Sequence, residues 1–160
     1  MVALRTAIVG NSGSGKSTLA RKLAAASGAP ILDLDTIAWE PDRIAVLRDP
    51  AEVNADLDRF CAAHESWIIE GCYGDLIEHS LAHAPELVFV HPGEQVCLRN
   101  CRARPWEPHK YASQAAQDAM LEPLLAWVSA YYTRDGTMSL ARHRAMFDAY
   151  RGPKRELTAL

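Results

Sequence analysis

"TAIVGNSGSGKSTLARKL", residues 6–23, joins a short apolar run to a glycine-rich turn and then to an amphipathic stretch. Gly10 is followed by four residues and then by Gly15-Lys16-Ser17, the spacing of a phosphate-binding loop set between a strand and a helix. Gly10, Gly13 and Gly15 permit backbone angles that a Cβ forbids, so successive N–H groups can curl around a polyphosphate. Lys16 supplies a point charge for the β and γ oxygens, Ser17 a hydroxyl for Mg²⁺, and the opening helix adds the positive end of its dipole. The predicted ATP cradle is therefore Gly10, Asn11, Ser12, Gly13, Ser14, Gly15, Lys16, Ser17 and Thr18.

Size and charge narrow what such a loop can serve. The chain has 160 residues, enough to bury a core without staples, and reads as one domain over 1–160. Its 17 basic and 20 acidic residues leave a net charge of −3, which does not favour a nucleic-acid partner, so an anion site must be local. No run approaches the roughly 20 apolar residues of a membrane span, and "MVALRTAIVG" lacks a signal-peptide layout. The expected location is the cytoplasm. Cys61, Cys72, Cys97 and Cys101 contain no C-x-x-C pair, so reduced thiols without zinc are expected.

Past the loop, the helix "KSTLARKLAAAS" should stop at Gly28, before a short buried strand in "PILDLD". Residues 41–50 read as a loop, "PAEVNADLDRFCAAHE" as a helix with proline in its first turn, and "SWIIEG" as a third strand. A helix from Leu76 to His83, a strand in "ELVFVHP" and the helix "EQVCLRNCRAR" follow, the last halted by Pro105. Residues 112–134 read as helical with a kink or split at Pro123, "SLARHRAMFDAY" as a further helix, and "KRELTAL" as a last strand. Such alternation predicts an α/β fold with a mainly parallel sheet, helices on both faces and the ligand at the carboxyl ends of the strands.

Phosphoryl transfer also needs an acid near the metal and positive charge around the moving group. Asp33 and Asp35, two apart on an extended strand, point the same way. Asp35 is the candidate for contacting an acceptor hydroxyl or acting as base, and Asp33 for holding Mg²⁺ through water; capping the next turn is the plain alternative for both. Glu70 closes an apolar strand before Gly71, the arrangement in which a carboxylate accepts from Mg²⁺-bound water. In "LRNCRARPWEPHK", Arg99 and Arg102 share a helix face and Arg104 and Lys110 lie close by. One such arginine can contribute on the order of 10³ to 10⁵ in rate, so Arg99, Arg102 and Arg104 are candidate catalytic groups, with a solvated basic face as the alternative.

"GNSGSGKSTLARKLA", "LDLDTIAW" and "WIIEGCYGD" together resemble the P-loop kinases of the adenylate kinase and shikimate kinase group. The nearest likeness is to the adenylate-kinase-like DNA topology modulation proteins, the FlaR-like family. The resemblance covers about the first 95 residues well and the rest in outline. It implies a three-layer P-loop NTPase fold, a five-stranded parallel sheet in the order 2-3-1-4-5, and a helical lid over about residues 99–134. Lys16, Ser17 and the loop glycines would bind ATP and Mg²⁺, Glu70 would stand for the family aspartate near the metal, and Asp35 would match the second acid of the shikimate kinase D-x-D. Arg99, Arg102 and Arg104 would belong to the lid or its approach. "EGCYG" lacks both the proline-arginine grip of adenylate kinases and the triple glycine of shikimate kinases. Two functional classes remain at this point: a kinase with a small-molecule or nucleotide acceptor, and a regulatory ATP-binding protein with slow hydrolysis.

Overall fold

The computed structural model describes residues 2–160. Five strands form one parallel sheet, β1 (Arg5–Gly10), β2 (Ile31–Asp33), β3 (Trp67–Gly71), β4 (Glu86–Val90) and β5 (Lys154–Leu157), in the order β2-β3-β1-β4-β5. The helices are α1 (Lys16–Ser27), α2 (Asp35–Ala38), α3 (Pro50–Ala63), α4 (Gly74–Ser80), α5 (Glu94–Ala103), α6 (Gln114–Ala119), α7 (Leu121–Ala130) and α8 (Leu140–Ala149). This is the three-layer P-loop fold in the expected strand order.

Strand periodicity divides the core between the two faces of the sheet. Ala7, Val9, Trp67, Ile69, Leu87 and Phe89 pack with residues of α3, α4 and α8, whereas Ile8, Ile68, Val88 and Val90 pack with Ala20 and Leu23 of α1. Because helices cover both faces, the central strands are apolar without alternation, as buried parallel strands must be. Burying each large side chain contributes about 1.5–3 kcal/mol, and Trp67, Ile8, Ile69 and Phe89 are wholly inaccessible. A third cluster, Cys97, Leu98 and Cys101 of α5 against Leu125 and Val128 of α7, forms the base of the segment expected to be the lid.

Two local expectations change. The helical stretch after residue 112 divides at Met120, not at Pro123. Pro123 lies in the first turn of α7, where a missing N–H costs nothing because that donor has no intrahelical partner. The extended reading of "DLD" also fails beyond Asp33, since Asp35 already opens the one-turn helix α2. Asp33 Oδ1 accepts from the backbone N–H of Asp35 at 2.9 Å and so turns the chain out of the strand. No helix of the described residues is long and apolar enough to cross a membrane.

Candidate functional site

Parallel register brings the strand ends together. Gly10 pairs with Val90, Val9 with Gly71, and Asp33 with Glu70, so the loop after β1 and the acids after β2 and on β3 share one edge of the sheet. A cavity of about 580 Å³ opens there, bounded by the loop on one side and by residues 100–110 on the other.

The loop wall is built mostly from backbone. Gly13 and Gly15 have φ of +76° and +100°. Asn11 braces the turn, accepting from Ser12 N–H through Oδ1 at 2.8 Å and from Ser14 N–H through its carbonyl at 3.2 Å. Its buried side-chain amide donates to Val128 O at 3.0 Å, tying the loop to α7. From α5, Asn100 Nδ2 donates to Gly13 O at 2.8 Å. A Cβ at Gly13 would drive into the Cys97 carbonyl, so the lid base rests directly on the loop.

This wall fits a polyphosphate. The α1 N-cap is Gly15, with no side-chain cap, which leaves the first N–H groups of a twelve-residue helix for a ligand. Ser14 Oγ is buried without a partner. Lys16, only 8% exposed, folds its ammonium back to donate to Asn11 O at 2.5 Å. Thr18 Oγ1 accepts from Arg21 at 3.3 Å.

Ser17 Oγ donates to Glu70 Oε1 at 3.0 Å, so a hydroxyl and a buried carboxylate meet beside the loop. Burial pushes the Glu70 carboxyl up from its ordinary value, and the Lys16 charge pulls it partly back. Such a pair of hard oxygen donors suits Mg²⁺, whose charge would favour the ionised form of Glu70. Asp33 lines the same cavity.

Asp35 stands in a different setting. Its Oδ1 accepts from the Tyr73 hydroxyl at 2.5 Å, and that hydroxyl accepts from Trp39 Nε1 at 2.8 Å. Its Oδ2 accepts from Lys110 Nζ at 2.8 Å. Burial alone would raise the Asp35 carboxyl, but Lys110 and the Tyr73 hydroxyl hold it below the ordinary carboxylate range. Burial also raises the Tyr73 hydroxyl, with Asp35 adding to the effect, so Tyr73 stays a proton donor.

The arginines separate. Arg104, just past α5, lines the cavity; Arg99 and Arg102 are exposed on α5 and do not. The reason is the helix phase: α5 buries Cys97, Leu98 and Cys101, which turns positions 99 and 102 toward solvent. Three contributors carried no assigned role in the sequence reading. Lys110 and Asn100 stand in the sequence only inside a basic stretch, and "GCYGD" holds the only local trace of Tyr73, because its partners lie 34 and 38 residues away.

The segment after β3 is held from below by α8. His143 Nε2 bonds the Cys72 carbonyl at 2.8 Å, so that nitrogen carries the proton and Nδ1 accepts from the Tyr131 hydroxyl at 2.8 Å. Gly74 N–H donates to Thr137 O at 3.0 Å. Burial lowers His143 to about 4 and raises the Cys72 thiol to about 11.

No family model matches the chain, and no curated protein matches it. Solved structures do. A gluconokinase from Sinorhizobium meliloti is 18% identical, with a TM-score of 0.57 over 99% of this chain and 85% of its own. A sugar kinase from Janibacter sp. is 15% identical, with a TM-score of 0.52 over 99% and 87%. The YorR protein of Bacillus subtilis, in complex with phosphorylated GDP, is 12% identical, with a TM-score of 0.51 over 94% and 83%. At these identities the likeness establishes the shared P-loop kinase fold.

Proposed function

We propose that this chain is an ATP-dependent phosphotransferase that moves the γ-phosphoryl group to a hydroxyl-bearing small molecule. The observation that carries the reading is one cavity holding a phosphate loop with Lys16 and, across from it, an acid, Asp35, whose two oxygens are fixed by a hydroxyl and an ammonium. A protein that only binds or slowly hydrolyses ATP has no need of that second wall. Two of the similar folds bear kinase names, which supports the same class.

In this reading the loop amides and Lys16 hold the triphosphate, and Ser14 Oγ gains the partner it lacks. Ser17 and Glu70 would hold Mg²⁺, with Asp33 assisting through water, and the ion would supply charge neutralisation for the transferring group. The acceptor hydroxyl donates to Asp35. Its oxygen bonds to the γ-phosphorus, the bond to the β–γ bridging oxygen breaks, ADP keeps that electron pair, and the acceptor proton passes to the Asp35 carboxylate. Arg104 and the Lys110 ammonium neutralise the moving group, whereas Arg99 and Arg102 would need a lid movement to reach it. Residues 99–134 act as the lid of a single unit spanning 1–160, and the sequence likeness at residues 10–24, 32–39 and 67–75 supports kinship with the FlaR-like proteins. The working compartment on this reading is the cytoplasm, with no nucleic-acid or membrane partner.

The test is ADP formation with ATP and Mg²⁺ across a panel of hydroxyl acceptors, with Lys16→Ala as control. Stimulation by an acceptor, lost in Lys16→Ala, is expected. ATP binding with no acceptor-dependent turnover would favour the regulatory reading instead.

A further inference from the structure

We infer that the acceptor is a polyhydroxyl compound bearing no carboxylate or phosphate, either uncharged or carrying an amine; this rests on the phosphoryl transfer proposed above. The argument is an accounting of cations. At the acceptor end the only ammonium among the described residues is Lys110, and it is already shared among three carboxylates. Its Nζ lies 2.8 Å from Asp35 Oδ2, 3.7 Å from Asp33 Oδ2 and 3.8 Å from Glu107 Oε2. Arg104, the other cation of that wall, sits 3.8 Å from Glu107 Oε1.

The arginines in the interval 43–59 are no freer. Arg48 donates to Asp56 Oδ2 at 2.7 Å and to Ile37 O at 2.9 Å, and Arg59 pairs with the other oxygen of Asp56. Arg43 is exposed, and neither it nor the other two lines the cavity. On the loop wall, Lys16 and Arg21 line the cavity where the proposed triphosphate would lie. Four cations and four carboxylates thus line the whole cavity, apart from His109. Their charges cancel, so a bound triphosphate with one Mg²⁺ gives the site a negative surplus before any acceptor enters.

A second anion would therefore have to draw Lys110 or Arg104 away from the carboxylates that each already faces. Hydroxyls and ammonium groups meet the opposite situation. Carboxylates accept only, and Glu107 Oε2 is a buried oxygen with no hydrogen-bond partner. An acceptor that donates through several O–H or N–H groups satisfies Asp33, Asp35 and Glu107 together, and frees Lys110 to follow the transferred phosphoryl group.

The experiment uses the full chain with acceptor pairs that differ only in the anionic group, a sugar with its sugar acid and a nucleoside with its 5′-monophosphate, reading acceptor-dependent ADP formation. The uncharged or amine-bearing member should exceed its partner in kcat/KM by about tenfold or more. An anionic member preferred by that margin overturns the inference and leaves phosphoryl transfer standing. Absence of acceptor-dependent ADP from every pair, in a chain that binds ATP, overturns phosphoryl transfer and the inference with it. A second readout needs no turnover. With a non-hydrolysable ATP analogue saturating the loop, inorganic sulfate is titrated at concentrations that occupy the loop of the nucleotide-free chain, and heat is recorded. No further saturable site is expected; a second site that disappears in Lys110→Gln overturns the inference directly.

Discussion

The two walls of the cavity are made of different material. The phosphate wall is backbone: a turn with two glycines at positive φ, an uncapped helix start, and side chains that mostly brace the turn itself. The opposite wall is side chain, Asp35 held by Tyr73 and Lys110, with Lys110 carried on an irregular stretch after α5. A backbone wall recognises any chain of phosphates and needs little from distant parts of the sequence. A side-chain wall is specific, and it depends on segments that converge only when the whole chain folds.

Paired substitutions test whether the two walls are separable. Lys16→Ala should lower turnover on the order of 10²-fold or more and weaken ATP binding, while the melting transition stays in place, because the ammonium makes a single hydrogen bond to the loop. Asp35→Asn should leave ATP binding unchanged by calorimetry and reduce transfer on the order of 10²-fold. If Asp35→Asn weakened ATP binding as much as Lys16→Ala does, the walls would act as one unit.

The phosphate wall also carries a steric condition that can be broken alone. Gly13→Ala forces a positive φ on a residue with a Cβ and drives that Cβ into Cys97 O, so denaturant unfolding should show a loss of about 2–4 kcal/mol. Gly28→Ala, also at φ +76° but with open space around the new Cβ, should cost only about 1 kcal/mol. Equal losses at the two positions would mean that contact between α5 and the loop adds nothing.

This contrast also explains what could be read from the chain before folding. The loop, the strands and the parallel polarity of the sheet follow from local spacing and apolar runs, whereas the strand order follows only from the family resemblance; Glu70 comes to lie against Ser17 because a strand-end acid needs no partner to be placed. Asp33 and Asp35 were found for an incomplete reason. They meet the cavity through an Asx turn into α2, not through strand alternation. Arg99 and Arg102 share a helix face as their spacing suggests, but that face was assigned without the burial of Cys97 and Cys101, which sets the rotation of α5. Tyr73, Asn100 and Lys110 act across 38, 87 and 75 residues of sequence, and no local pattern encodes those contacts.

Acid should act on the side-chain wall through its support. His143 stays neutral when folded because burial lowers it from the ordinary 6.5 to about 4, although its bond to Cys72 O opposes the shift. Between those values the unfolded chain binds a proton that the folded chain does not, so stability is lost as pH falls from about 6.5 through 4 and levels off below. The loss from this group is about 3 kcal/mol. His143→Gln, which keeps an N–H for Cys72 O, should flatten that part of the stability profile whatever it does to stability at neutral pH. An unchanged slope would assign the acid sensitivity to other groups.

The finest test concerns one hydrogen bond at the edge of the side-chain wall. Trp39 Nε1 donates to the Tyr73 hydroxyl, which in turn donates to Asp35 Oδ1, so the indole fixes the direction of the hydroxyl proton. Trp39→Phe keeps an aromatic ring beside Tyr73 and removes only the donor. A neutral hydrogen bond is worth about 0.5–1.5 kcal/mol, so acceptor KM should rise about twofold to tenfold with ATP affinity unchanged. A rise in KM for both substrates would mean that Trp39 supports the fold of α2. A rise for the acceptor alone would mean that the second wall is tuned one hydrogen bond at a time, which a backbone cradle is not.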